Sequence, residues 1–467
     1  MELSNQKILV VGLGRSGFAT ACFAARQGAR VTVTDMAPEE NLAEPAAKLR
    51  EMGVYLELGE HKPVSFETAD QIVISPGVPH TIAPIKRALA CGVPVAGELE
   101  FAARFVREPV IAITGTNGKT TTTELTGRML ESSGFQVFTG GNIGTPLIAY
   151  ADNGSNAQRI VLEVSSFQLD TICTFRPQIA VLLNIHPDHL DRYPDFSAYA
   201  GSKFRIFENQ KKSDLAILNG FDPLIEKMAQ DIKGQKTFFA NKNKKQMGAQ
   251  IQKDGIFIDV HWGMPGAADT PQTAGVASGG GIFLELAGIN ISEPHNLENI
   301  AAASLAALAA GATEKGIRSA LRGFKGLSHR MEHIATINDV RFINDSKATN
   351  VDAVARALEC FNAPVILIMG GRNKDSDFSV LRSLVRRHVK YLILMGESGR
   401  KIAAALAEDG GQAPAFAADM QAAVSMAGQR AVSGDVVLLS PACASFDMFS
   451  SYVQRGEVFT AAVKQLK

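Results

Sequence analysis

A strand-like apolar run, Val110–Thr114, leads directly into Gly115-Thr116-Asn117-Gly118-Lys119-Thr120-Thr121, and a helical pattern begins at about Thr120. Strand, glycine turn and helix in that order demand a parallel α/β sheet and form the setting of a phosphate-binding loop. Glycines let backbone N–H groups approach phosphate oxygens, and a helix N-terminus favours negative charge. Lys119 is placed to reach terminal phosphates, and the Thr120 hydroxyl is of the type that holds magnesium. The general pattern G-x-x-x-x-G-K-[ST] would put its first glycine at Ile113; here the glycine is Gly115, so the loop is tighter. A bare strand-to-helix turn is the competing reading. Gly-Lys-Thr between these flanks puts ATP binding ahead of it, through Gly115, Thr116, Asn117, Gly118, Lys119, Thr120 and Thr121.

The pattern of strands and helices divides the chain into three α/β segments, 1–97, 98–325 and 326–467. In the first, Lys7–Val11, Arg30–Thr34 and Gln71–Ser75 read as strands of a small doubly wound, Rossmann-like unit. The second is the P-loop, mononucleotide-binding segment, with further buried strands at 159–164 and 179–184 and a closing helix from Leu297 to Ala310. Asn241–Lys245 reads as a solvated run. Residues 263–281 are mostly Gly, Ala, Pro, Ser and Thr, a composition that builds no core and reads as a loop. The third, with strands at 342–344, 365–369, 391–395 and 436–439, is a second Rossmann-like unit.

Gly12-Leu13-Gly14-Arg15-Ser16-Gly17 follows the first strand and Asp35 ends the second. Alone, this pattern points to a nicotinamide dinucleotide. The same turn serves any nucleotide diphosphate at a helix N-terminus, and fold does not fix function. With an ATP loop already in the middle segment, a nucleotide-diphosphate substrate ranks above a redox cofactor, and a plain tight turn below both.

Glu163 ends a buried strand beside the phosphate loop, where a carboxylate suits magnesium. The strand that ends at Asn184 is followed by His186-Pro187-Asp188-His189-Leu190-Asp191-Arg192. Taken singly, each histidine there is a polar loop residue. Together the cluster offers an imidazole for a second cation and a carboxylate as base or orienter. Lys203, taken alone, reads as a surface lysine.

Composition removes other classes. The 467 residues carry 47 Lys plus Arg and 47 Asp plus Glu, so bulk charge gives no support for binding nucleic acid or a membrane surface. Five scattered cysteines without a CxxC pair argue against a disulfide framework or a zinc knuckle. No leader pattern precedes Ile8 and no apolar run spans a bilayer, so a cytoplasmic enzyme is the expectation; a monomer is expected without any sequence feature that argues it.

Taken together, these runs resemble the Mur ligase superfamily, which also contains folylpolyglutamate synthetase. The resemblance spans the whole chain. It is carried by the phosphate loop, Gly141-Asn142-Ile143-Gly144, Leu162–Gln168, Asp188-His189-Leu190-Asp191, and Pro294-His295-Asn296 with Asn299. Asn344-Asp345-Ser346-Lys347-Ala348-Thr349-Asn350 and Leu439–Asp447 with Arg455-Gly456 resemble the D-glutamate-adding branch. The resemblance implies ATP, two magnesium ions, UDP-N-acetylmuramoyl-L-alanine and D-glutamate as ligands. It implies Thr120, Glu163, His189 and a carbamylated Lys203 around the magnesium ions. It places Asn296, Asn299, Arg330 and Asp345 on adenosine and Lys347 on phosphate. It places Thr349, Lys374, Ser445, Phe446 and Tyr452 at glutamate, and Asn142 and Ser165 at the UDP substrate. Gly14, Arg15, Ser16, Asp35 and Ser75 would lie near uracil or diphosphate. Met36-Ala37 departs from the Thr-Arg known after the matching acid, which bears on the uracil contacts, and Tyr452 stands where Phe is expected.

An amide is uphill in water, so the implied chemistry activates the alanine carboxylate as an acyl phosphate before an amine attacks. Lys119 and cations offset charge on the transferring phosphoryl group, and Asp188 or His189 is the candidate base for the ammonium. Closure of the third segment belongs to such a cycle. Three alternatives stay open: a relative acting on another amino acid or a folate, a nicotinamide oxidoreductase, and a nucleotide-gated switch that hydrolyses ATP without an amine.

Overall fold

The computed structural model describes residues 3–153, 156–240, 248–259, 281–285, 294–407 and 413–466. The expected surface run at 241–245 and the loop residues 263–280 lie outside them. The described chain contains three sheets, and it separates into two compact units. Residues 1–185 and 200–324 form one; 186–199 and 325–467 form the other.

In the first unit, an N-terminal sheet is wholly parallel, in the order Tyr55–Leu58, Arg30–Asp35, Lys7–Val11, Gln71–Ile74, Val95–Gly97. Lys7–Val11 is central and apolar on both faces, the pattern of a strand covered on either side by crossover segments. Strand order reverses beside it, and such a switch point opens a crevice at the carboxyl ends of the strands. The glycine turn after Val11 lies there.

A larger, nine-stranded sheet follows in the same unit. Val110–Thr114 lies between Arg159–Glu163 and Ile179–Leu182, and pairing stays parallel out to Gly248–Ile251, where two antiparallel strands complete the edge. Helix Lys119–Glu131 packs against Pro294–Ala309, which begins three residues before the reading from sequence. Ala301–Ala307 are all buried, the polar Ser304 included, and the small side chains among them let this helix lie close to its neighbours.

The two sheets of the first unit are tied through helix Glu98–Ala103. Glu98 accepts the Ile148 N–H at 3.0 Å, and Glu100 accepts the N–H groups of Cys173, Thr174 and Phe175 at 2.8–2.9 Å. Arg26, which ends the first helix, is paired with Asp152.

The second unit holds a six-stranded sheet. Its order is Glu332–Ile337, Val340–Asn344, Val436–Leu439, Val365–Gly370, Val389–Met395, Ala415–Phe416, parallel except for the first pair. Glu332–Ile337 is a strand that the apolar pattern does not reveal; it is an edge strand, half-exposed and bulged at His333/Ala335.

Candidate active site

The phosphate loop is held open from within. Gly115 and Gly118 have φ of 158° and 86°. A Cβ on Gly118 would stand 2.2 Å from the Asn299 Oδ1, so glycine is required there by both backbone and neighbour. Lys119 folds its Nζ back to the carbonyls of Gly115 and Thr116 at 2.8 and 2.9 Å. Asn184 braces the loop from the next strand: its carbonyl accepts the Thr116 N–H and its Oδ1 the Asn117 N–H, at 2.9 and 2.8 Å. Thr121 is buried at the start of the helix. Thr122 donates to Asn299, whose Nδ2 lies 3.4 Å from Asn296 Oδ1.

Glu163 joins two of the other expected residues. Its Oε2 accepts the Thr120 hydroxyl at 2.7 Å and its Oε1 the Asn142 amide at 2.9 Å. These oxygen donors have the hard chemistry that magnesium takes, and magnesium draws the rest of its shell from phosphates and water. Among the described residues, no three His, Cys, Asp or Glu side chains gather as a metal group. The Thr120 hydroxyl and the Glu163 carboxylate fit a cation shared with nucleotide phosphates.

Lys203 is not the surface residue that its sequence context suggests. It is 2% exposed, and its Nζ donates to the Gly115 carbonyl at 2.9 Å. Helix Phe196–Phe204 delivers it beneath the phosphate loop. Ser165 is engaged as the N-cap of a short helix, in a capping box with Gln168.

At the N-terminal turn, Gly12 has φ 92°, and a Cβ on Gly17 would meet the Gly12 carbonyl at 1.8 Å. Ser75 donates to that carbonyl at 2.8 Å. Asp35 accepts the Leu13 N–H on one oxygen and the Ala37 N–H on the other, at 2.6 and 2.8 Å. In this structure the acid braces the turn. Gly14 and Arg15 are exposed and Ser16 is half-buried at the start of helix Arg15–Arg26.

In the second unit, Asp345 is buried, with Oδ1 on the Met331 N–H and Oδ2 on the Ser440 hydroxyl. Burial pushes its carboxyl up to about 7, against the pull of the Arg330 charge and these hydrogen bonds. Lys347 lies 5.2 Å from the Tyr452 ring centroid. Tyr452 opens helix Tyr452–Lys464, where backbone N–H groups have no partner within the helix. Ser445 is buried, Thr349 is half-buried and Phe446 is 65% exposed. Lys374 Nζ lies 3.5 Å from Asp188 Oδ1, and His189 adopts φ 56° with its N–H on the same oxygen.

Family models for three domains match in order along the chain. A MurD-like Mur ligase N-terminal domain covers residues 6–97, a Mur ligase middle domain 113–307, and a Mur ligase glutamate ligase domain 329–443. A UDP-N-acetylmuramoylalanine–D-glutamate ligase from Desulfosudis oleivorans is 50% identical over all of this chain and 98% of its own length. One of the same description from Koribacter versatilis is 43% identical over 100% of this chain and 99% of its own. The chain belongs to the Mur ligase family. Among solved structures, a pseudomurein peptide ligase type C from Methanothermus fervidus aligns at 20% identity with a TM-score of 0.60, over 99% of this chain and 100% of its own. A UDP-N-acetylmuramate–alanine ligase from Thermotoga maritima aligns at 18% with a TM-score of 0.58, over 99% of this chain and 100% of its own. Both likenesses are of fold, along nearly the whole of each chain.

Three residues of this Mur ligase do structural work around the site to which the sequence reading gave no role, although Arg455 and Asn350 lie in the runs that carry the resemblance. Asn184 is the first, as the brace of the phosphate loop. Arg455 is the second: fully enclosed, it donates to the Ser346 hydroxyl and carbonyl and to the Cys443 carbonyl at 2.7–3.0 Å, fastening the 344–346 loop to the 443–445 loop. Burial lowers its pKa to about 10. The third is Asn350, which meets Asp188. Asn184 carries only the signal of a polar residue at a strand end, which many surface residues share; Arg455 and Asn350 stand in the runs that carry the resemblance, but nothing local in those runs states what they bind.

Proposed function

We propose that this Mur ligase joins D-glutamate to UDP-N-acetylmuramoyl-L-alanine at the expense of ATP, through an acyl phosphate. The observation that carries the reading is the likeness to D-glutamate ligases along the full chain, 50% identical in one relative. We take 1–97 as the domain that grips the UDP end, 98–325 as the ATP domain and 326–467 as the amino-acid domain.

The phosphate loop binds ATP through its backbone N–H groups. Lys119, now folded onto the loop carbonyls, turns to the terminal phosphates when they arrive. Asn296, Asn299, Arg330 and Asp345 take the adenosine, and Lys347 a phosphate. Thr120 and Glu163 hold one magnesium ion; His189 and a carbamylated Lys203 serve a second. Magnesium supplies charge neutralisation on the transferring phosphoryl group. The place of Lys203 supports carbamylation, because its enclosed Nζ lies against the phosphate loop, where a carboxylate-like group would meet a cation.

The alanine carboxylate attacks the γ-phosphorus and ADP leaves, giving an acyl phosphate. The amine of D-glutamate then attacks the acyl carbon, and the tetrahedral adduct collapses to amide and phosphate. Lys374, Thr349 and Ser445 fix the two carboxylates of glutamate by charge-assisted bonds, with Phe446 and the Tyr452 helix start beside them. A carboxylate seated on Lys374 brings its own ammonium near Asp188, which lies 3.5 Å from the Lys374 Nζ. Asp188 is therefore the proton acceptor we favour. Gly14, Arg15, Ser16, Asp35 and Ser75 serve the uracil and diphosphate; Asn142 and Ser165 serve the rest of the UDP substrate.

The test is phosphate release from ATP and magnesium with UDP-N-acetylmuramoyl-L-alanine, with D-glutamate, L-glutamate or no amino acid. Release that requires D-glutamate, with a product one glutamate heavier, is the expected result. Release indifferent to D-glutamate would remove the roles given to Thr349, Lys374 and Ser445.

A further inference from the structure

Asn350 closes the Asn344–Asn350 run and has no role in the mechanism above. It is buried, and its amide works in two directions. Oδ1 accepts the Ala353 N–H at 2.8 Å and so caps helix Val351–Glu359. Nδ2 donates to Asp188 Oδ2 at 3.2 Å. The cap decides which way the amide faces. Its oxygen meets the helix N–H, so its amide nitrogen is the group that faces Asp188.

The two oxygens of Asp188 are then divided. Oδ2 is held by Asn350, and Oδ1 takes the His189 N–H at 2.9 Å while standing 3.5 Å from Lys374. That separation is longer than a charge-assisted hydrogen bond, which lies at about 2.7–2.9 Å. We propose that Asn350 is a positioning residue for the amine-addition step. It anchors Asp188 so that the carboxylate does not close fully on Lys374, leaving the ammonium available to glutamate and Asp188 available to the incoming amine. The inference rests on the roles proposed for Asp188 and Lys374.

Serine at 350 keeps a cap acceptor and removes the donor; aspartate keeps the acceptor and sets a second carboxylate against Asp188. In the phosphate-release assay, Asn350→Ser is expected to lower kcat about tenfold, the worth of one hydrogen bond to a charged group. It should also raise the KM for D-glutamate as Asp188 competes for Lys374. The KM for ATP and the melting temperature should stay at wild-type values. Asn350→Asp should lower kcat further with the cap intact. Asp188→Asn is run beside them. If Asp188→Asn is impaired but Asn350→Ser has wild-type kcat and KM for D-glutamate, the positioning role is wrong and the reading of Asp188 stands. An equal rise in both KM values, or a fall in melting temperature that accounts for the lost rate, marks a structural role and also overturns it. If Asp188→Asn itself is unaffected, the underlying reading fails and takes this inference with it.

Discussion

Lys203 shows what a single residue hides in sequence. A lysine late in a helix is ordinary on a surface, yet this one is almost wholly enclosed against the Gly115 carbonyl. Burial is a property of the fold around it, and no local pattern encodes it. If its modified form serves a cation, Lys203→Ala should lower the rate of phosphate release by about 10- to 100-fold, as loss of a metal-supporting group does. ¹³C NMR in ¹³C-bicarbonate at mildly alkaline pH, where the acid-labile carbamate persists, should show a carbamate signal on the wild type and not on the variant. Absence of the group in the active enzyme would sink the carbamylation reading. The cysteines give a simpler contrast. Cys443 is buried and its thiol is pushed up to about 12 by burial, while Cys91 and Cys173 are exposed. Iodoacetamide at neutral pH should label Cys91 and Cys173 in the native protein and spare Cys443, with peptide mapping as the readout.

At the scale of elements, helix Glu98–Ala103 carries a pH dependence into the first unit. Glu98 is fully buried, and desolvation lifts its pKa from the ordinary 4.5 to about 7, only partly opposed by the Ile148 N–H. Between those values the unfolded chain has lost the proton and the native chain has kept it. The native state therefore binds more protons, and stability falls as pH rises through that window. Glu98→Gln keeps an acceptor for Ile148 and cannot ionise. It should match the wild type below about pH 4.5 and exceed it at pH 8 by on the order of 3 kcal/mol in urea denaturation. Equal stability at pH 8 would show that Glu98 ionises in the native state at little cost. Elements also mark how far the sequence could be read. Strands such as Lys7–Val11 and Val365–Gly370 are apolar on both faces and stood out at once. Glu332–Ile337 and Val95–Gly97 did not, since one is a half-exposed edge strand and the other is three residues long. The phosphate loop was legible because its chemistry is local. The bracing role of Asn184 and the fastening role of Arg455 were not, although Arg455 stands in a run that carries the resemblance, because each role is defined by partners elsewhere along the chain.

For the whole molecule, the division into two compact units makes a thermodynamic claim. The N-terminal and central sheets share one unit because Glu98, Glu100 and Arg26 bind across from the first to the second. The C-terminal sheet has its own apolar cores on both faces, one around Phe342, Ile366 and Phe459 and one around Val354, Leu367 and Phe378. A unit with its own core is able to unfold alone. Arg455 lies wholly within the second unit and donates three hydrogen bonds to its site loops. Arg455→Met would remove these bonds and leave buried carbonyls at Ser346 and Cys443 short of a donor, costing roughly 2–4 kcal/mol. Scanning calorimetry of the wild type should resolve into two components. The variant should lower one of them, and the component that answers to Glu98→Gln should stay in place. A single transition that moves as a whole in both variants would mean that the two units unfold as one cooperative body, so that damage to the amino-acid loops is felt at the phosphate loop as well.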